Sequence, residues 1–134
     1  MKVIDMIDLV GTDRDVHCPK GGFRSKRALI ESDKMGFSLH QTIIPAGKPQ
    51  HWHYKYHLEA CYCISGYGLL TNLETMKQYE IKPDMVYVLD NHDDHFFQAI
   101  EDVVLISVFN PPVVGDEVHD RDGAYSINKE LDNV

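Results

Sequence analysis

At 134 residues the chain has the length of one domain, and its 43% hydrophobic content is enough to close a single core. Twenty-one acidic against thirteen basic residues give a net charge of −8, which excludes a surface built to grip nucleic-acid phosphates. No run of about 18 apolar residues is present to span a bilayer, and Met1-Lys2-Val3-Ile4-Asp5-Met6 carries an acidic residue where a secretion signal needs an apolar stretch. Cys18, Cys61 and Cys63 are an odd set with a spacing too close for an ordinary disulfide, and no second cysteine pair completes a zinc site. Reduced thiols in a cytoplasmic protein, with neither membrane nor nucleic acid as partner, is the expectation.

In chain order, residues 24–34 are compatible with a helical turn or with a strand edge. Residues 36–44 alternate, with Ser38, His40 and Thr42 on one face and Phe37, Leu39, Gln41 and Ile43 on the other. Residues 59–65, 67–73, 77–81, 85–89, 95–100 and 103–109 continue as short strands. Gly66, Gly68, Asn72, Pro83-Asp84, Asn91 and Pro111-Pro112 supply the turns. So many short strands predict an all-β sandwich or barrel, one domain with its core over about residues 20–127 and one or two short helical segments. The polar tail after Asp120 is expected to fray. There is no repeat, linker or low-complexity run.

Two clusters carry chemistry. His51, His53, His57 and Glu59 fall within nine residues ahead of a strand, and Tyr87, Asp90, His92, Asp93, Asp94 and His95 follow about thirty residues later. Both lie at the end of a short apolar run, as a metal site inside a small barrel requires. Glu59, Cys61 and Cys63 share one strand face, so the ligand face is expected to be the barrel interior. Pro83-Asp84, a strand, and then His95 resemble the second motif of the cupin superfamily. Glu59 followed by six residues and then Gly66 resembles the end of the first. In a typical cupin two histidines precede that glutamate by four to seven residues; here those offsets hold Trp52, His53, Tyr54 and Lys55.

A longer set of residues is more specific. It comprises His53-Tyr54-Lys55, His57, Glu59-Ala60, Tyr62-Cys63-Ile64, Gly66 and Gly68, then Ile81-Lys82-Pro83, Tyr87, Leu89-Asp90, His92-Asp93 and His95. It ends with Val108-Phe109, Pro111-Pro112, Gly115, Glu117-Val118-His119, Asp122-Gly123 and Tyr125. In common register over about residues 20–127 these resemble the ectoine synthase family, dimeric cupins of jelly-roll-like β-barrel fold. The resemblance implies ring-closing dehydration of N4-acetyl-L-2,4-diaminobutyrate to the compatible solute ectoine with a ferrous ion, Fe2+, and a homodimer. By motif position it implies Glu59, Tyr87 and His95 as iron ligands and Tyr54, His57, Glu117 and His119 as catalytic groups. It further implies Arg27, Thr42 and Phe109 as substrate contacts, with Arg27 pairing a carboxylate.

A carboxylate, a phenolate and an imidazole suit iron, and a bound cation favours the phenolate. Closing an amine onto an amide carbonyl with loss of water calls for a base, an oxyanion stabiliser and an acid. Phe23 stands where the family usually has tryptophan and Ser107 where cysteine is common. Both leave room for a relative acting on a different N-acyl diamino acid. A non-catalytic small-molecule-binding cupin is a further alternative; an iron oxygenase is disfavoured by the missing histidine pair. His17, His40, His51, His53 and His92 read as surface or supporting groups, with His92 and Asp93 orienting the loop that bears His95.

Overall fold

Alternation of inward and outward side chains is carried through a computed structural model that describes residues 1–18, 22–120 and 123–125. Its strands are β1 (Asp15–His17), β2 (Arg24–Leu29), β3 (Ser38–Ile44), β4 (Gln50–Trp52), β5 (Leu58–Asn72), β6 (Gln78–Ile81), β7 (Val86–Leu89) and β8 (His95–Asn110). Two short 3-10 turns, Met6–Leu9 and Glu31–Asp33, are the helical segments among the described residues. The strands join antiparallel in the order β1-β2-β3-β8-β5-β6, with β4 added on β8 and β7 on β5.

β5 and β8 build the barrel because each is long enough to serve two walls. β8 pairs with β4 through residues 95–97 and with β3 through residues 103–109. β5 pairs with β7 through residues 59–62 and with β6 through residues 68–71. The two long strands pair with each other along nearly their whole length, and register shifts between Cys63 and Gly68 let them bend. Gly66 sits in that bend at φ +92, where a Cβ would collide with the Asp102 carbonyl. The sequence boundaries at 65/67 and 100/103 are therefore bends within continuous strands, not turns. Residues 24–34 resolve into both readings, strand β2 followed by the Glu31–Asp33 turn.

The interior has an apolar end and a polar one. Phe97, Val103, Leu105, Ile44, Cys63 and Ile81 are almost wholly buried, and each larger side chain among them is worth about 1.5–3 kcal/mol over exposure. Toward the other end the inward positions become Ser25, Arg27, Ser38, His40, His57, Glu59, His95 and Ser107, all buried. A small domain spends stability to bury so many polar groups. Of the tail expected to fray after Asp120, Ala124 and Tyr125 are instead buried. Gly123 is pressed onto β4, its carbonyl accepting from His53 N at 2.8 Å. Asp122 and the chain from residue 126 lie outside the described residues.

Candidate active site

Glu59, Cys61 and Cys63 point inward from β5, and Tyr87 and Leu89 point inward from β7 opposite them, Cys61 facing Tyr87 in register. Glu59 is 7% exposed, and among the described residues no cationic side chain pairs with it. Burial pushes its carboxyl up to about 8, against hydrogen bonds from Cys61 and Ser107 that pull it down. Burial likewise raises Tyr87 well above the usual phenol range, with the neighbouring Cys61 and Glu59 adding to the rise.

His95 opens β8 and is 1% exposed. Its Nδ1–H donates to the Asp93 carbonyl at 2.9 Å, which places the lone pair on Nε2. That Nε2 is buried without a partner. Burial lowers the imidazole's pKa, so the ring is neutral near pH 7. The anticipated loop support takes an unanticipated form. Asp93 orients His95 by its carbonyl, and His92 Nδ1 donates to the carbonyls of Tyr54 at 2.9 Å and His57 at 3.1 Å.

Tyr54 stands at the junction of these groups. Its ring centroid lies 6.0 Å from that of His95, and Glu59 and Tyr87 both act on its hydroxyl electrostatically. The hydroxyl shares a hydrogen bond of 2.5 Å with His119 Nε2. Burial raises Tyr54 well above 10 and lowers His119 well below 6.5, so the proton rests on the phenol. His119 is sandwiched between Trp52 (4.9 Å, 11°) and Tyr125 (4.7 Å, 21°), with Phe23 edge-on at 4.8 Å. Its Nδ1 is buried and unpartnered.

Tyr54, Glu59, Tyr87, His119, Thr42 and Phe109 line one inner cavity, together with Phe23 and Ser107, the two positions that depart from the family pattern. Its volume is about 10 Å3. Trp52 and His119 are shared with a groove of about 540 Å3 on the outer side.

Three of the anticipated residues are placed elsewhere. Arg27 is fully buried, with Nε on Ser25 Oγ at 3.2 Å and its terminal nitrogens on the carbonyls of Gly115 at 3.1 Å and Glu117 at 2.6 Å. It lies 5.4 Å from the Tyr125 ring centroid. Its donors thus clasp the C-terminal segment instead of facing the cavity as a carboxylate partner. Glu117 accepts from Val114 N at 2.6 Å and Gly115 N at 2.7 Å, with Arg27 Nη1 at 3.8 Å, and does not line the cavity. His57 is buried behind Phe109 (5.8 Å) and Tyr125 (6.1 Å), its Nδ1 unpartnered and its pKa lowered by burial. His40 is not at the surface: it is 1% exposed, bridges Ser25 at 3.3 Å and Ser38 at 3.1 Å, and stacks on Phe109.

Sequence reasoning does not single out Trp52 or Tyr125 as site residues. The one signal for Tyr125 is its place in the family motif after Gly123, and for Trp52 its position between two histidines.

The donor set fits a divalent cation. A buried carboxyl without a cation, a buried imidazole nitrogen without a hydrogen-bond partner and a buried phenol surround Tyr54, and each would gain from a positive charge. No three His, Cys, Asp or Glu side chains gather as a metal set among the described residues.

The family model for ectoine synthase matches residues 1–129. The L-ectoine synthase of Alkalilimnicola ehrlichii is 47% identical over 99% of this chain and 100% of that protein. The crystal structure of ectoine synthase from P. lautus superposes with a TM-score of 0.84 at 38% identity, covering 96% of this chain and 94% of that one. At the level of fold alone, the Cnp3 cupin domain of Schizosaccharomyces pombe matches with a TM-score of 0.57 at 17% identity, over 66% of this chain and 64% of that one.

Proposed function

The chain belongs to the ectoine synthase family, and from that premise we propose that it closes N4-acetyl-L-2,4-diaminobutyrate into ectoine with loss of water. The observation that carries this reading is the Tyr54–His119 proton pair facing the same small cavity as Glu59 and Tyr87. Such a hydro-lyase adds the 2-amino nitrogen to the acetyl carbonyl carbon, moves protons onto the former carbonyl oxygen until it leaves as water, and removes a proton from nitrogen to give the cyclic amidine.

Glu59, Tyr87 and His95 are the residues that would hold Fe2+, which when bound supplies Lewis-acid polarisation of the acetyl oxygen. The residues of the chain do the rest. Tyr54, kept protonated, is the acid for the departing oxygen, and neutral His119 takes up the proton released from the amine nitrogen and restores through Nε2 the one that Tyr54 has given. Phe109 and Thr42 press and hydrogen-bond a curled substrate, and such orientation lowers a barrier by about 7–11 kcal/mol at best. Trp52 and Tyr125 exclude water from the His119 ring. Arg27 and Glu117 act by holding the segment that carries His119, and His57 supports it from behind.

A cavity of about 10 Å3 admits roughly one water, while small-molecule pockets run to about 300–1,000 Å3. Substrate therefore enters from the outer groove by displacing the Trp52 and His119 rings that the groove and the cavity share, and their return seals the site. Phe23 and Ser107 line this cavity and favour, as a second reading, a different N-acyl diamino acid.

A homodimer is supported by the apolar side chains that the N-terminal segment leaves exposed, Met1, Val3 and Ile7. A cytoplasmic setting is supported by three free cysteines. Among the described residues no helix is long and apolar enough to cross a membrane.

Ferrous-loaded protein incubated anaerobically with N4-acetyl-L-2,4-diaminobutyrate, with product followed by chromatography beside a metal-stripped control, tests the reading. Metal-dependent ectoine supports it. Bound iron without product transfers the assignment to another acyl diamino acid.

A further inference from the structure

Beside the Glu59 carboxylate, hydroxyl and thiol groups from three neighbouring strands meet on the inner wall. Ser107 on β8 is the register partner of Cys61 on β5 and of His40 on β3. Thr42 Oγ1 lies 2.9 Å from Ser107 Oγ, and Cys61 Sγ lies 3.6 Å from the same oxygen. Ser107 and Cys61 also hydrogen-bond the Glu59 carboxylate. Ser107 and Cys61 are each 1% exposed, so water does not serve in place of these contacts.

Proton supply gives the arrangement a direction. A serine hydroxyl has one proton and two lone pairs, whereas an ionised carboxylate only accepts. With a cation at the site keeping Glu59 ionised, the Ser107 proton goes to that carboxylate, the stronger acceptor. The Thr42 hydroxyl then donates into a Ser107 lone pair, giving the chain Thr42 to Ser107 to Glu59. Thr42 is half-buried and lines the cavity, so this chain runs from the substrate side of the wall to the carboxylate.

We propose that Ser107, oriented by Thr42, is a positioning residue that fixes the Glu59 carboxylate and thereby sets how tightly the site holds its cation. This rests on the reading of Glu59 as a metal ligand. Ligating carboxylates depend on such outer hydrogen bonds, and their loss commonly costs about 10–100-fold in metal affinity. A serine that merely fills space would not matter in this way, because alanine fills nearly the same volume.

The test is chelator competition for Fe2+ on the anaerobic full-length protein, comparing the parent with S107A, S107C, T42V and E59Q, alongside thermal unfolding of each metal-free form. S107A is expected to raise the dissociation constant about 10–100-fold, T42V to raise it less, and S107C, which keeps a donor proton, to restore affinity to within about threefold. Metal-free unfolding temperatures should stay close to the parent's. If E59Q holds iron as tightly as the parent, the ligand reading beneath the proposal fails. If E59Q loses iron while S107A and T42V bind within about twofold of the parent, the positioning role itself is overturned. That role is overturned equally if S107A lowers only the metal-free unfolding temperature. Should S107A not fold, T42V at its half-buried position decides alone.

Discussion

The Tyr54 hydroxyl and His119 Nε2 share a hydrogen bond of 2.5 Å, and burial of both keeps the phenol protonated and the imidazole neutral. The pair is a proton store at neutral pH because neither member is charged. Tyr54→Phe removes one oxygen from a side chain whose ring stays packed against Phe109 at 5.1 Å. It should therefore leave folding and iron content unchanged while lowering kcat by about 10²–10⁴-fold in steady-state assays. Unchanged turnover would remove Tyr54 from the chemistry. Arg27 acts on the same pair from a distance. Arg27→Met strips the buried carbonyls of Gly115 and Glu117 of their charged donor. It should cost at least about 1.5–3 kcal/mol in urea unfolding and lower turnover as His119 loses its footing. Neither contact is visible in the sequence, because Tyr54 and His119 are 65 positions apart and Arg27 and Glu117 are 90 apart. Nothing local in the chain announces such pairings. The resemblance marked Glu117 and Arg27 as site residues, and the structure gives each an internal bond that keeps it off the cavity wall.

Individual elements were legible to the degree that they alternate. β3, β6 and β7 show period-two burial or lie within one residue of the expected limits, since one inward face is what the core selects. β1 and β4, at three residues each, are too short to display a period. β5 and β8 each read as two strands in the sequence, divided at Gly66 and between residues 100 and 103. At 15 and 16 residues they run through those points with shifted register. A glycine bend and a turn have the same sequence signature, and only pairing with a partner distinguishes them. Gly66→Ala tests the bend. Its Cβ would strike the Asp102 carbonyl and its φ of +92 disfavours an L side chain. A loss of about 1–3 kcal/mol is expected in equilibrium unfolding. A neutral substitution would show that β8 yields at Asp102.

Across the whole molecule, charge pairs tie the N-terminal segment to the barrel. Arg24 meets both Asp15 oxygens at 2.8 Å, and Asp33 takes Arg14 at 2.9 Å and Lys2 at 2.7 Å. The Arg24 hydrogen bonds hold Asp15, and those from Arg14 and then Lys2 hold Asp33, well below the usual carboxylate range. A carboxyl depressed in the folded state stabilises it fully above the unfolded value near ~3.9 and progressively less as pH falls below it. Urea midpoints should therefore decline as pH drops from about 5 to 2, and Asp33→Asn should flatten that decline. An equal slope in the variant would assign the acid loss to other carboxyls. The same barrel surrounds a polar centre with its apolar end, and the proposed chemistry stands or falls on that centre. The decisive measurement is iron stoichiometry of E59A, Y87F and H95A beside Tyr54→Phe, each loaded anaerobically and gel-filtered. One iron per parent and Y54F chain, with loss in the other three, is the predicted result; iron retained by all of them would place the metal, and the chemistry built around it, elsewhere.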